Sequence, residues 1–410
     1  MGWTFSSAAC ARHEAARPVT PIFIGFAFAY FLSALLRAVT ATLAPSFSAE
    51  LALGAGDLGL LAGAYFFGFA MLQLPLGSAL DRWGPRRVQF ALMLLAVAGC
   101  LLFARAEGLP GLLAARVLIG MGVAACLMAP LTAYRRRFTP GAQLRANSWM
   151  LMTGSLGMLA STLPVQWMLP LLGWRGLFVA LAALLALSMT VMLWLVPRDE
   201  VTAPAPGQAD GGYAAIVRHP LFIRLAPLAF MQYGGMVAVQ ALWAGPWLTE
   251  VGGGSPQAAA GGLFVINLAM LFTFLAWGAV MPRLAARGVH ALGVLTWGMP
   301  LALALLAGIV WAGPAAGAGA WAAWCVASTC VSLSQPAVGQ AFPAAHAGRA
   351  LSAYNLVIFG GVFSVQWGIG LALDALRATG MDTVAAYQAA FGGFGLLCAA
   401  AYAWFLWRRA

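Results

Sequence analysis

Charged side chains are scarce in this 410-residue sequence, at 8% of all residues, whereas soluble domains carry about a quarter. Lysine is absent, so all 22 basic residues are arginine, and only six cysteines occur. So few cysteines exclude a secreted disulfide scaffold. Apolar residues, by contrast, make up 62% of the chain. This composition excludes a disordered chain and a soluble domain, and it is typical of an all-α membrane protein.

Twelve apolar runs divide the chain, each close to the length of about 20 residues that a helix needs to cross a bilayer. They lie at residues 20–43, 57–80, 88–106, 110–133, 147–170, 174–196, 221–246, 256–281, 291–311, 315–338, 350–373 and 384–407. The sequence therefore predicts twelve transmembrane helices. The residues before the first run contain no apolar stretch of signal-peptide length, so that run is expected to act as the export signal itself.

The arginines lie mostly on one side of the predicted membrane. With both termini inside, 17 of the 22 fall in cytoplasmic segments and three on the opposite face, while Arg37 and Arg116 lie within spans. Cytoplasmic loops of membrane proteins carry such an excess of basic residues. The distribution predicts an N-in, C-in orientation in a bacterial inner membrane. It also accounts for the net charge of +11 without a nucleic-acid partner.

A polar segment near the middle separates two predicted six-helix bundles. Residues 197–220 combine charged residues with several prolines and glycines, a composition typical of a flexible linker. The predicted domains are therefore an N-terminal bundle, 1–196, a cytoplasmic linker, 197–220, and a C-terminal bundle, 221–410.

The two predicted bundles resemble each other in sequence. Residues 77–87 align with residues 278–288 at an offset of 201, and Gly157 aligns with Gly361 at an offset of 204. Similar offsets in the same order indicate an internal duplication.

Two motifs of the first half resemble those of a known family. Gly77 to Arg87 reads Gly-Ser-Ala-Leu-Asp-Arg-Trp-Gly-Pro-Arg-Arg, which is similar to the G-x-x-x-D-R-x-G-x-R-R loop signature of the major facilitator superfamily. Arg116 to Gly122 resembles that family's R-x-x-x-G-x-G pattern on the fourth helix. The resemblance implies two parallel six-helix bundles that rock around a central cavity and expose one substrate site to alternate sides. It implies a transporter and not an enzyme.

Four residues of the loop signature are candidates for a cytoplasmic gate, namely Asp81, Arg82, Arg86 and Arg87. Charged contacts across the seam between the bundles would close that side. The alternative is that these arginines only fix the orientation of the chain. The acidic residue has no counterpart in the second half, because Pro282 occupies the aligned position.

Arg37 lies well inside the first predicted span. A guanidinium that faced lipid there would cost several kcal/mol, so it is expected to face the interior of the bundle. Its planar fork pairs well with a carboxylate or a phosphate, so it predicts an anionic substrate. The structural alternative is an arginine that is held by backbone carbonyls or that extends towards the outer membrane interface.

Neutral polar and aromatic residues on facing spans are the other candidates for substrate contact. With Arg37 they form the predicted substrate-binding set, which adds Tyr30, Tyr65, Tyr233, Gln240, Asn267, Tyr354 and Asn355. Amides and phenols can orient a small polar ligand, but they can equally join helices to one another.

Coupling residues are harder to identify, because no acidic residue lies at a predicted midplane. Arg116 on the fourth span matches a family arginine linked to proton movement, and Asp57 and Asp374 lie at the outer rim. These three are the candidates for coupling. Exchange and facilitated diffusion are the alternatives.

The leading hypothesis is a secondary active transporter of a small organic anion, such as a carboxylate or an amino acid. A multidrug or metabolite exporter is the alternative within transport, and a non-transporting membrane sensor or scaffold is the alternative from another class. No nucleotide fingerprint, phosphate loop or metal-binding cluster occurs in the sequence, so neither a cofactor nor a metal is predicted. The expected partners are the small-molecule substrate, the lipid bilayer and, with coupling, a proton.

Overall fold

The computed structural model of the chain describes residues 19–198 and 213–408. Within these two ranges the regular structure is helical and no strand occurs. The α-helices are α1 (Val19–Leu51), α2 (Ala55–Met71), α3 (Gln73–Trp83), α4 (Pro85–Arg105), α5 (Leu109–Val123), α6 (Ala125–Arg137), α7 (Pro140–Ala160), α8 (Leu163–Leu195), α9 (Tyr213–Val217), α10 (Pro220–Leu228), α11 (Gly234–Ala238), α12 (Ala244–Pro246), α13 (Pro256–Ala286), α14 (Ala291–Ala312), α15 (Ala318–Ser328), α16 (Ser334–Gln340), α17 (Ala344–Ala378) and α18 (Thr383–Trp407). Short π-helical turns (Ala229–Tyr233, Val239–Trp243 and Trp247–Val251) and 3₁₀ turns (Gly313–Ala315 and Thr329–Leu333) connect some of them.

The predicted all-α membrane fold is confirmed. In the described part of the chain, nine helices are long and apolar enough to cross a bilayer, or ten if the bent pair α2 and α3 counts as one span. Helix α8 also contains a break at Gly173, whose φ of 64° is not helical. The count of twelve spans and the N-in, C-in orientation are consistent with this architecture and remain predictions, as do the domain boundaries. Most of the predicted linker lies outside the described residues.

Several helices extend beyond the apolar runs that predicted them. Helix α1 continues to Leu51 and α17 begins at Ala344, several residues outside the runs 20–43 and 350–373. Polar residues at a helix end keep their backbone hydrogen bonds while their side chains reach water, so apolar length underestimates helix length.

Glycine ends α3 at the turn of the loop signature. Gly84 has a φ of 83°, in the left-handed region that residues with a Cβ rarely adopt. Pro85 then begins α4, where its fixed φ suits the first turn of a helix. The glycine of the signature therefore has a backbone role that is independent of any gate.

Glycines also allow helices within each half to pack closely. A Cβ at Gly157 would overlap the carbonyl oxygen of Phe31, and a Cβ at Gly361 would overlap the carbonyl oxygen of Phe230. The two glycines align in the predicted duplication. Each contacts the first long helical segment of its own half, which is α1 in the first half and residues 220–251 in the second. Equivalent contacts of this kind are what an internal duplication predicts.

The two ends of the molecule differ in charge. Glu50, Glu107, Glu250, Asp374 and Asp382 lie at the end that we name the acidic end. The opposite, arginine-rich end carries Arg82, Arg86, Arg87, Arg135, Arg136, Arg137 and Arg198. The positive-inside rule predicts that the arginine-rich end faces the cytoplasm.

The halves touch tightly at the acidic end, through α2 and α17. A Cβ at Gly59 would overlap the carbonyl oxygen of Gln366, and a Cβ at Gly370 would overlap that of Ala55. Towards the arginine-rich end aromatic rings replace glycine, and Phe69 and Phe359 pack with ring centroids 4.7 Å apart. Close backbone contact therefore seals the interface at the acidic end.

Replacing Gly361 with alanine should destabilise the protein, because the added methyl group meets the backbone of Phe230 and not a flexible side chain. Overpacking of this kind costs about 1–3 kcal/mol, so the apparent Tm in detergent should fall by several degrees. Gly278→Ala is the matched control, since a Cβ at this exposed helical glycine meets nothing within 4 Å. Equal Tm values for the two variants would contradict the close contact.

Candidate functional site

The guanidinium of Arg37 lies inside the helix bundle among aromatic hydroxyl groups. It lies near enough to the hydroxyls of Tyr30 and Tyr65, and to that of Tyr233 from the second half, to interact with them electrostatically. Arg37 is only partly buried, and its buried Nε has no hydrogen-bond partner. The prediction that this arginine faces the bundle interior is therefore consistent with its position, which brings residues of both halves together.

Local helix geometry explains part of this cluster. Tyr30 and Arg37 are seven residues apart on α1, two helical turns, so they lie on the same face of the helix. Gly154 on α7 leaves room for the Tyr30 ring, which a Cβ at that position would approach to within 2.6 Å. Tyr65 reaches the cluster from α2, and its hydroxyl donates a hydrogen bond to the carbonyl oxygen of Ser33, 3.4 Å away.

Arg116 lies behind this cluster and is fully buried. Its Nη1 donates a hydrogen bond of 3.0 Å to the carbonyl oxygen of Leu36. Its guanidinium carbon lies 4.9 Å from the centroid of the Tyr65 ring, a geometry in which the π face attracts the cation. Nε and Nη2 have no partner. A backbone carbonyl and an aromatic face therefore hold this charge in the first half, and its role in coupling remains a prediction.

Carboxylates lie away from both arginines in the part of the chain that the structure describes. Those with described side chains are found at helix ends or in the turns between helices, namely Glu50, Asp57, Glu107, Glu250, Asp374 and Asp382. The side chain of Asp81 lies outside the described residues. Among the described groups of His, Cys, Asp and Glu, none is arranged to hold a metal ion.

The helical segment of residues 220–251 contains π-helical turns at two predicted substrate-binding residues. Tyr233 ends the turn Ala229–Tyr233, and Gln240 lies in the turn Val239–Trp243. A π turn inserts a residue into the helical repeat, which re-aims the side chains around it, and such turns are frequent at functional sites. Sequence patterns gave no signal for these turns.

The predicted amides join helices to one another. Gln240 donates a hydrogen bond of 2.8 Å to Asn267, and Gln335 donates one of 2.6 Å to Asn355. Gln240 also approaches Met158 of the first half, with Nε2 4.0 Å from Sδ. These amides satisfy one another in this conformation, which is the helix-joining role that was the alternative to substrate contact.

Tyr354 lies near Tyr233 but is not among the groups that interact with Arg37. It is fully buried in the core of the second half, where its ring packs edge to face against Phe222 with centroids 5.8 Å apart. The structure therefore gathers Arg37, Tyr30, Tyr65 and Tyr233 at one place and puts Tyr354 in the packing behind it. Its proposed contact with substrate remains a prediction.

Two arginines of the loop signature, Arg82 and Arg86, make contacts within the first half. Arg86 donates a hydrogen bond of 2.7 Å to the carbonyl oxygen of Leu193, near the end of α8. The guanidinium carbon of Arg82 lies 5.6 Å from the ring of its neighbour Trp83. Arg86 and Arg87 have further interactions besides these. A gate formed by Asp81, Arg82, Arg86 and Arg87 across the seam remains a prediction.

The two acidic candidates for coupling both bind the beginning of α2. Asp57 accepts a hydrogen bond of 3.1 Å from the Gly54 amide. Asp374 accepts bonds from the amides of Ala55 and Gly56, which are 319 and 318 residues away in sequence. Sequence reasoning placed Asp374 at the outer rim but gave no sign of this contact, because it depends on how α17 packs against α2.

Two ion pairs at the acidic end were also not predicted. Glu50 pairs with Arg175 and accepts a hydrogen bond of 2.6 Å from the Trp174 indole. Arg377 pairs with Glu250 at 2.6 Å. Both pairs are partly exposed, and each joins helices of one half, so they organise the rim within each half.

Structural comparison shows the same fold in proteins that share little sequence with this chain. A bacterial homologue of the human lysosomal transporter Spinster, in an inward-facing and unoccupied conformation, has a TM-score of 0.75 at 15% identity, and the match covers 95% of this chain and 96% of that one. The nucleoside transporter NupG has a TM-score of 0.73 at 12% identity, covering 95% and 100% of the two chains. A D-xylose-proton symporter has a TM-score of 0.73 at 14% identity, covering 94% and 96%.

These likenesses establish the fold, since identities this low carry no information about the substrate. No protein of curated function matches the sequence. The family model of the Major Facilitator Superfamily matches residues 26–364, which is most of the chain and includes both halves of the helical bundle. The chain is therefore a multi-pass membrane protein that belongs to the Major Facilitator Superfamily of transporters.

Proposed function

We propose that this protein is a secondary active transporter that moves a small organic anion across a bacterial inner membrane by alternating access. The observation that carries the proposal is the Arg37 guanidinium, which is partly buried between the halves and has a free Nε. Its neighbours are the neutral hydroxyls of Tyr30 and Tyr65. A bound carboxylate would supply the negative charge that these neighbours lack.

The number of accessible charges favours a substrate with a single anionic group. Arg116 is sealed behind Tyr65 and fully buried, so it contributes to the local potential but cannot touch a ligand. Arg37 then offers one fork of donors, which a carboxylate can accept in a bidentate geometry. A doubly charged phosphate ester would need further donors. A monocarboxylate, including an amino acid, therefore fits the cluster better than a phosphorylated compound.

Residues from both halves meet at this position, as alternating access requires. Arg37, Tyr30 and Tyr65 come from the first half and Tyr233 from the second. A ligand that bridges Arg37 and Tyr233 would pull the halves together around itself. Its binding energy would thereby favour an occluded state, in which the site can open to the other side.

A two-step experiment tests the proposal directly. A thermal-shift screen of organic acids on detergent-purified protein finds ligands of the folded state, because binding raises the apparent stability by mass action. Uptake of the acids that stabilise the protein is then measured in proteoliposomes. Saturable flux of a monocarboxylate supports the proposal, whereas flux restricted to neutral or cationic compounds would contradict it.

Arg37→Ala should strongly weaken binding of the acid found in the screen while the protein stays folded. Charge-assisted hydrogen bonds contribute about 1.5–3 kcal/mol each, so losing the fork should raise Kd by at least about 100-fold. Arg37→Lys keeps the charge but loses the bidentate fork. Its Kd should therefore lie between those of the wild type and of Arg37→Ala. Isothermal titration in detergent measures all three affinities.

Arg105→Ala is the matched control for these variants. It removes the same type of side chain from an exposed position at the end of α4, so its Kd should equal that of the wild type. If Arg37→Ala also binds with wild-type affinity, Arg37 has a structural role and the proposed recognition of an anion is wrong.

Tyr233→Phe tests whether the second half contributes to the same site. Removal of one hydroxyl that donates to a charged ligand should raise Kd at least about tenfold, since such a bond contributes about 1.5–3 kcal/mol. Tyr213→Phe removes an exposed hydroxyl on α9 and should leave Kd unchanged. If Tyr233→Phe binds the acid as tightly as Tyr213→Phe does, the first half binds the substrate alone.

A further inference from the structure

The carboxylate of Asp374 closes the interface between the halves at the acidic end. Its Oδ1 accepts a hydrogen bond of 3.1 Å from the Ala55 amide, and its Oδ2 accepts one of 2.7 Å from the Gly56 amide. Asp374 belongs to α17 in the second half, whereas Ala55 and Gly56 are the first two residues of α2 in the first half. One side chain therefore binds two main-chain amides across the seam.

Helix termini explain why this contact favours a carboxylate. The first amides of an α-helix have no partner within the helix, and the helix dipole places a partial positive charge there. The residue that precedes α2 is Gly54, which has no side chain to cap these amides. Asp374 performs from another helix the role that an N-cap side chain usually performs locally.

The charged groups around Asp374 make their hydrogen bonds to other partners, and Arg377 acts on Asp374 through charge attraction alone. Asp57, in the first turn of α2, accepts its hydrogen bond from the Gly54 amide. Arg377, one turn after Asp374 on α17, forms its ion pair with Glu250 of the turn Trp247–Val251. The amides of α2 are therefore the hydrogen-bond donors that hold the Asp374 carboxylate.

Close packing at this point depends on the absence of a side chain. A Cβ added at Gly56 would lie 2.6 Å from Oδ2 of Asp374. An alanine at this position would displace the carboxylate while its charge is retained. The sequence thus provides a way to break the contact from the opposite side of the seam.

We propose that Asp374 is the latch of the acidic end, and that its charged hydrogen bonds to the start of α2 bias the transporter towards the state in which this end is closed. In the opposite state α2 and α17 must separate at this end, and both partners are then hydrated separately. The role is one of positioning, because Asp374 acts on the equilibrium between conformations and does not touch the substrate. The proposal rests on alternating access and not on the chemistry of the substrate.

Spin labels at the acidic end measure this equilibrium in the absence of substrate. Glu107 and Ala315 are exposed positions at this end of the first and second halves, and each is replaced by a labelled cysteine. The five cysteines in the described ranges are buried, and Cys10 is replaced by serine. Pulsed electron resonance in proteoliposomes then gives the fraction of molecules with a long distance between the labels, which is the state open at this end.

Asp374→Asn should increase the ratio of open to closed molecules at least about fivefold, as expected for loss of a charged helix cap. Asp382→Asn is the matched control. That carboxylate also caps a helix, at 3.1 Å from the Ala385 amide, but the helix is its neighbour α18 in the same half. Its ratio should remain that of the labelled parent protein.

Gly56→Ala provides an independent test that retains every charge, and it should shift the ratio in the same direction as Asp374→Asn. The proposal is overturned if Asp374→Asn and Asp382→Asn give the same ratio of open to closed molecules. If Gly56→Ala shifts the ratio and Asp374→Asn does not, packing and not charge closes this end. Failure of these tests would leave recognition of an anion by Arg37 unaffected, because no ligand is present in the measurement.

Discussion

The cost of placing a guanidinium inside a membrane protein governs the central part of this structure. Two arginines lie among apolar helices, and the described carboxylates are all at the ends of the bundle or in its turns. Arg116 is stabilised internally by the Leu36 carbonyl and the Tyr65 ring. In the part of the chain that the structure describes, the groups that interact with Arg37 are neutral hydroxyls. The difference between these two environments is the physical basis for assigning Arg37 to an anionic substrate.

The interface between the halves combines two kinds of contact with different functions. At the acidic end, glycines allow the backbones of α2 and α17 to meet, and Asp374 adds a charged hydrogen-bond pair. Deeper in the bundle the contacts are aromatic and polar, and the tyrosines around Arg37 come from both halves. Helices in close backbone contact can separate and pack again without breaking hydrogen bonds within either helix. The charged Arg37 cluster, by contrast, is stabilised when an anionic ligand binds. The structure thus separates closure of one end from recognition of the cargo.

Much of this arrangement could be predicted from the sequence because it depends on local rules. Apolar run lengths predicted the helical membrane fold, and the cost of an exposed charge predicted that Arg37 faces inwards. The seven-residue spacing of Tyr30 and Arg37 follows the same local rules, since it puts both residues on one face of α1. The aligned Gly157 and Gly361 make equivalent contacts, which agrees with the proposed duplication. The other features depend on tertiary packing, and so they were not predictable. They include the burial of Tyr354 behind the site, the π turns near Tyr233, and the contact of Asp374 with residues more than 300 positions away.

The most direct test of the central claim compares one substrate in two charge states. The carboxylic acid that most stabilises the wild-type protein is titrated alongside its primary amide, which has nearly the same size and shape but no charge. If Arg37 recognises an anion, the amide should bind at least about 100-fold more weakly, in line with the loss of charge-assisted hydrogen bonds. Equal affinity for the acid and the amide would contradict the account, because the guanidinium would then not select the charge of the cargo.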